Sequence, residues 1–288
     1  MQIVKAKETG FCFGVRRALK LLDKAIQKHG DVETLGLMVH NQQVIDSLSK
    51  RGITTVENTA QVQGSIVVIP SHGVSPLIVE ELKTRGLSII DATCPTVRKA
   101  QRAARELSER GFQVIVFGDP AHSEVKGVLG WAGDSGVATL DSEVTSKFDK
   151  LPPRLGLLSQ TTQNPAHFAH FLANFTALFL PQIRELCIIN TICHITRRRQ
   201  VAALELAKRV NLMIVVGGKN SANTRCLTEI CSSTGVETYH IERAAEIKGS
   251  WLKDRYRIGI TTGTSTPDEV TQEVVQKLEG IKGRTNAT

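Results

Sequence analysis

The sequence predicts an α/β protein with mainly parallel sheets, built from three related modules, and three observations carry that reading. Short apolar runs alternate with longer amphipathic ones along the whole chain, as expected of strands buried on both faces between covering helices. Two stretches repeat at an offset of 99 residues: Ile89/Ile188, Ile90/Ile189, Cys94/Cys193, Arg98/Arg197, Gln101/Gln200, Ala103/Ala202, Ala104/Ala203, Glu106/Glu205 and Leu107/Leu206. Nine matches in nineteen positions mark an internal repeat. Finally, Cys12, Cys94 and Cys193 each stand where an apolar run ends and a basic one begins, and Arg16, Arg98 and Arg197 follow four residues later.

In chain order, the apolar run 2–6 predicts a first strand and the amphipathic run 15–27 a helix. Strands at 65–70 and 87–92 flank a helix at 77–85, and a helix at 96–110 leads to a strand at 112–117. A strand at 155–158, a helix at 165–178 and a strand at 187–190 follow, then a helix at 197–210 and a strand at 212–216. The last pair is a strand at 257–261 and a helix at 267–278, opened by Pro267, whose fixed φ suits a first helical turn. Cutting at the cysteines gives modules over 13–95, 96–192 and 193–282, the third sheet completed by the N-terminal strand within 1–12, and a disordered tail over 283–288. Three such modules about a pseudo-threefold axis would bring their loops together over one cavity.

Those loops recur. One set holds His40-Asn41, His122-Ser123-Glu124 and Asn220-Ser221-Ala222-Asn223; a second holds Ser71-His72-Gly73, Gln160-Thr161-Thr162 and Thr262-Gly263-Thr264-Ser265. Nearly all lie between an apolar strand and a helix, the end of an open α/β sheet where ligands bind.

Composition narrows the function classes. With 288 residues and 41% hydrophobic content the chain can bury substantial cores, and its longest apolar runs are strand-sized, far short of the roughly 20 residues of a membrane helix. The N-terminus has no apolar signal segment, so a cytoplasmic protein is expected. Six cysteines in reducing cytosol favour metal or cluster ligation over disulfides. The net charge of +8 favours acidic partners, while 5% aromatics and no aromatic residues within the basic runs leave little for nucleic acid to stack on.

Three thiolates without a fourth suit a [4Fe-4S] cluster with one open iron, or zinc completed by a histidine. None of the three has a cysteine neighbour at the C-x(2–4)-C spacing usual in structural zinc sites. Cys187, Cys226 and Cys231 read as small buried hydrophobes. His40, His72 and His122 occupy repeat-equivalent loops and offer donors to a phosphate or proton relays. Ser221, Asn223 and Ser265, each leading into a helix, suit an anion site, with ordinary N-capping as the alternative. Glu124, beside His122, is the carboxylate whose burial would suit proton delivery. The basic helix starts Arg16-Arg17, Arg98-Lys99 and Arg197-Arg198-Arg199 read as a solvated face, a docking surface or a counter-charge to the thiolates.

Gly10-Phe11-Cys12-Phe13-Gly14-Val15, Val39-His40-Asn41, Ser71-His72-Gly73-Val74, Asp91-Ala92-Thr93-Cys94-Pro95, His122-Ser123-Glu124-Val125, Gln160-Thr161-Thr162, Asn190-Thr191-Ile192-Cys193, Gly218-Lys219-Asn220-Ser221 and Gly263-Thr264-Ser265-Thr266-Pro267-Asp268 together resemble the LytB family of 4-hydroxy-3-methylbut-2-enyl diphosphate reductases. The resemblance covers essentially the whole chain. It implies a three-module trefoil around one central [4Fe-4S] cluster held by Cys12, Cys94 and Cys193, with a fourth iron open to the substrate alcohol. It implies reductive dehydroxylation of the allylic diphosphate to isopentenyl and dimethylallyl diphosphates, the last step of the non-mevalonate isoprenoid pathway. Glu124 would be the proton donor, assisted by Thr161 and His122. His40, His72, His122, Thr161, Ser221, Ala222, Asn223 and Ser265 would bind substrate, and reduced ferredoxin or flavodoxin would supply electrons. Ala222 stands where many relatives have serine, leaving only its backbone N–H; Ser123 replaces a frequent proline, and Thr264 and Ile195 replace residues usually smaller. The rival reading is a zinc- or cluster-containing sensor of a phosphorylated ligand, which needs no Glu124; basic nucleic-acid binding is a weaker one.

Overall fold

Among the described residues every strand pairing is parallel, and three four-stranded sheets share one strand order. The computed structural model describes residues 1–142 and 151–285. The first sheet contains β2 (Glu33–Leu35), β3 (Thr54–Val56), β4 (Ile66–Ile69) and β5 (Ser88–Asp91) in the order β3-β2-β4-β5. The second contains β6 (Gln113–Phe117), β7 (Gly136–Thr139), β8 (Arg154–Ser159) and β9 (Glu185–Ile188) in the order β7-β6-β8-β9. The third is β11-β10-β12-β1, from β10 (Leu212–Val216), β11 (Glu237–Ile241), β12 (Arg257–Thr262) and β1 (Gln2–Lys5). Each set therefore places its first and third strands at the centre, its second at one edge and its fourth at the other. The third set takes its fourth strand from the N-terminus, Gln2 lying opposite Arg257 and Lys5 opposite Ile260. This is the α/β class with parallel sheets that the sequence predicts.

The helices are α1 (Phe13–His29), α2 (Gln42–Lys50), α3 (Pro76–Thr84), α4 (Pro95–Glu109), α5 (Ser123–Ala132), α6 (Pro165–Phe179), α7 (His194–Ala207), α8 (Ala222–Ser232) and α9 (Asp268–Thr285). The tail expected over 283–288 is helical as far as Thr285, and 286–288 lie outside the described residues. Among the described residues no helix is long and apolar enough to cross a membrane. By internal contacts the chain divides into two compact units: 1–15, 39–47 and 194–288 form one, and 16–38 with 48–193 form the other.

Strand alternation explains how each sheet is covered. In the second sheet Val114, Val116 and Leu158 pack with Ala100, Ala104 and Leu107 of α4 and Val125 and Val128 of α5. Ile115, Phe117, Leu155 and Leu157 belong to another cluster, with Phe168, Phe171, Phe175 and Phe179 of α6. Their spacing of three and four residues puts these rings on one helical stripe, with successive centroids from Phe171 to Phe179 at 5.7 and 4.9 Å. Asn164 starts that helix by accepting from the Ala166 amide at 2.8 Å, with Pro165 in the first turn. The third sheet is built likewise: Leu212, Ile214, Val216, Ile258 and Ile260 pack with Val270, Val274 and Leu278 of α9, whereas Met213 and Val215 pack with Ala203 and Leu206 of α7 and Leu227 of α8.

Phe175, with no exposed surface, sits within this ladder. Phe175→Ala leaves a ring-sized cavity there and is expected to lower unfolding free energy by about 3–5 kcal/mol in urea titrations.

Candidate functional site

One hydrogen bond recurs in all three sheets. The Cys12 amide donates to the Thr264 carbonyl, the Cys94 amide to that of Ser71 and the Cys193 amide to that of Thr161, each at 2.9 Å. Each acceptor lies in the loop after its sheet's third strand, and each cysteine follows the fourth. Every cysteine also introduces a helix: Cys12 precedes α1, its sulfur accepting from the Val15 amide at 3.4 Å; Cys94 is the N-terminal cap of α4; Cys193 precedes α7. Cys193 Sγ lies 3.8 Å from Thr96 Oγ1, two residues after Cys94. All three are partly exposed and outside disulfides. Soft sulfur donors at helix starts, where the peptide dipole favours negative charge, fit an iron-sulfur group. Among the described residues no three of His, Cys, Asp and Glu gather to hold a single metal ion.

In the second unit Glu124 and Thr161, each 4% exposed, form a two-point pair. The Thr161 amide donates to Glu124 Oε1 at 2.7 Å and its hydroxyl to Oε2 at 2.9 Å. Burial pushes the Glu124 carboxyl above the usual carboxylate range, against the opposing pull of the two Thr161 hydrogen bonds. A protonated Glu124 reverses the hydroxyl bond and frees the Thr161 proton to be passed on. His122 caps α5 by accepting the Glu124 amide on Nδ1 at 3.1 Å, so its neutral ring carries its proton on Nε2. His72 differs: its Nδ1 faces the Gly73 carbonyl at 3.0 Å and must donate, so its Nε2 donates only when the ring is a cation.

The first unit holds the other predicted binding residues. Ser221 caps α8, accepting the Thr224 amide at 3.3 Å, so the capping alternative describes its oxygen while its proton remains a donor. Asn223, in the first turn of the same helix, is 2% exposed, and both polar atoms of its amide lack a hydrogen-bond partner. A buried amide in that state costs about 1–3 kcal/mol, so a polar ligand at this helix start offsets a real penalty. Ala222 begins α8 and offers only its backbone N–H. Ser265 donates to the His40 carbonyl at 3.4 Å. Gly218 packs so close that a Cβ there would overlap that same carbonyl, which is why glycine is required. Burial first, and the charge of Arg225 second, push His40 below its ordinary value, so it is neutral at pH 7.

Two expectations about charge and sulfur resolve differently. Burial pushes the Cys226 and Cys231 thiols up to about 12, and both lie buried on α8, as expected of small buried hydrophobes; Cys187 lies partly buried on β9 against the α4–α5 core. The basic triplet, in contrast, is not one face. Arg197 and Arg198 are exposed, but Arg199 is 2% exposed and bonded to backbone carbonyls. The sequence signal for this is the helical spacing of the buried α7 residues Thr196, Arg199, Gln200, Ala203, Leu206 and Ala207.

Parallel sheets with polar strand-end loops, helix-starting thiols and a buried carboxyl paired with a hydroxyl are features of an α/β enzyme. Residues 3–279 match the family model described as LytB protein. The chain belongs to this family, iron-sulfur oxidoreductases of isoprenoid biosynthesis. A 4-hydroxy-3-methylbut-2-enyl diphosphate reductase of Dehalococcoides mccartyi is 46% identical over 285 residues, 99% of this chain and 100% of that protein. One of the same name from Caldanaerobacter subterraneus is 39% identical, with 98% of each chain covered. A solved structure of (E)-4-hydroxy-3-methyl-but-2-enyl diphosphate reductase, terminal enzyme of the non-mevalonate pathway, is 36% identical with a TM-score of 0.70, covering 97% of this chain and 100% of that one. The Plasmodium falciparum reductase structure is 27% identical with a TM-score of 0.89, covering 95% and 86%.

At pH 8 a thiol with a pKa of about 12 is ionised in about one molecule in 10⁴, too few to alkylate readily. Iodoacetamide treatment of folded, metal-free protein is therefore expected to label Cys12, Cys94 and Cys193 while sparing Cys226 and Cys231, as peptide mass spectrometry will read.

Proposed function

We propose that this protein is a 4-hydroxy-3-methylbut-2-enyl diphosphate reductase acting in the cytoplasm: substrate, two electrons and two protons give isopentenyl or dimethylallyl diphosphate and water. The allylic C–O bond breaks, one proton leaves with the hydroxyl as water, and the other ends on carbon. The observation that carries the reading is the buried Glu124–Thr161 pair, whose threonine also receives the Cys193 amide. Cys12, Cys94 and Cys193 hold one [4Fe-4S] cluster, which when bound supplies electrons and an open, Lewis-acidic iron. Reduced ferredoxin or flavodoxin is the electron source, an acidic partner for a chain charged +8. No observation favours the sensing alternative.

The chain's own residues bind and protonate. His40, His72, His122, Ser221, Asn223, Ser265 and the Ala222 N–H are the groups that would take diphosphate oxygens. Neutral His122 donates through Nε2, whereas His72 does so only as a cation; the negative charge of a diphosphate favours that form. Glu124 gives its proton through the Thr161 hydroxyl, the route its hydrogen bond provides.

Glutamine preserves both Thr161 bonds, its Oε1 accepting the amide and its Nε2 donating to the hydroxyl, so Glu124→Gln is expected to fold normally. Turnover should drop about 10²–10⁴-fold with substrate affinity retained. Unchanged turnover would remove Glu124 as the acid. Because the folded pKa of Glu124 is raised, wild-type turnover should hold below that pKa and fall as pH rises through it. The same limb should be missing from the residual rate of the glutamine variant. Asn223→Ala removes a buried donor and should raise KM about 10–100-fold with little change in kcat, measured in steady-state assays.

A further inference from the structure

We infer that Arg199 is a positioning residue: its buried guanidinium fixes the turn that presents Cys12, at the one place where the repeat lacks a short chain connection. This rests on the reading of Cys12 as a cluster ligand. Arg199 Nη1 donates to the carbonyls of Thr262 and Gly263, both at 2.8 Å, and to Thr262 Oγ1 at 3.2 Å; Nη2 donates to the Gly10 carbonyl at 2.8 Å. Thr262 Oγ1 also accepts the Gly10 amide at 2.9 Å, and the Cys12 amide reaches Thr264. The turn 10–12 is thus laced to the end of β12 through one side chain. Gly10 itself has φ +73°, and a Cβ there would overlap the Asp268 carboxylate, so the turn has little freedom once docked.

The repeat shows what is special about this position. Six residues beyond the other two cysteines stand Ala18 and Ala100, both buried at 0% and 1% exposure. In those modules the third and fourth strands are consecutive in sequence, β4 reaching β5 through α3 and β8 reaching β9 through α6. In the third, Gly10 and Thr262 are 252 residues apart, so the pairing closes a very long loop without a local link. A guanidinium forking between two strand ends supplies the missing tie. Burying a cation is costly unless it is well hydrogen-bonded, and the carbonyls of Thr262, Gly263 and Gly10 supply acceptors that the planar fork of an arginine can reach together.

The test compares thiols within one folded, metal-free protein. In Arg199→Met, the iodoacetamide labelling rate of Cys12 is expected to rise about tenfold while that of Cys94 stays within about twofold of wild type, the change expected from losing one local tie. Loss of iron to a chelator from the anaerobically reconstituted variant should quicken by a similar factor. Arg199→Lys keeps the cation with fewer donors and should fall between; if the methionine variant does not fold, the lysine variant decides by the same comparison. Equal increases at Cys12 and Cys94 would mean general loosening and overturn the proposal, as would no increase at Cys12. The thiol comparison needs neither iron nor substrate, so it stands or falls apart from the reductase reading. A wild-type protein that keeps no iron after reconstitution would overturn the ligand role and leave the labelling result intact.

Discussion

The hydrogen bond from each cysteine amide to the loop after the neighbouring central strand is the interaction on which the site depends. It occurs once per sheet at 2.9 Å, and its acceptors, Thr264, Ser71 and Thr161, adjoin or include residues assigned to substrate. Ser265 follows Thr264, His72 follows Ser71, and Thr161 itself binds Glu124. A loop cannot shift without pulling on the backbone of a cysteine. Parallel pairing makes this possible, because it puts the carboxyl ends of the third and fourth strands side by side in every sheet.

The same loops show how one residue serves stability and chemistry together. His122 caps a helix by accepting an amide on one ring nitrogen; Ser221 caps with its lone pair and keeps its proton as a donor. Asn223 is the exception, since its neighbours satisfy neither end of its amide, and the fold bears that penalty in advance of binding. Glu124 is similar in kind: burial disfavours its charged form and raises its pKa, against the pull of the Thr161 hydrogen bonds.

Central strands were legible because burial on both faces demands continuous apolar runs, as in Ile66–Ile69 and Leu212–Val216. The edge strands β3, β7 and β11 were not, for Thr-Thr-Val, Gly-Val-Ala-Thr and Glu-Thr-Tyr-His-Ile meet solvent on one side and carry no such run. β2 was too short, and β9 starts two residues before the strand expected at 187–190, with Glu185 paired with Arg154. Helices α2, α5 and α8 were hidden by brevity, by glycines or by a polar first turn. At the site, residue identities were readable from the repeat and the family resemblance. Arg199 was not, because three consecutive arginines look like a charged surface until the helical phase places the third among Ala203 and Leu206.

The pairing of β1 with β12 has a consequence for synthesis. Cys12 is made 252 residues ahead of its amide's acceptor, Thr264. Sheets β3-β2-β4-β5 and β7-β6-β8-β9 are complete in sequence once Ile188 has been added, and the turns of Cys94 and Cys193 have their acceptors by residue 193. The third sheet, in contrast, waits for β12, which follows every strand of the other two. A stalled or truncated product therefore presents two thiols in their native turns and leaves the third on an unpaired strand, so the cysteine translated first is the last to be set in place.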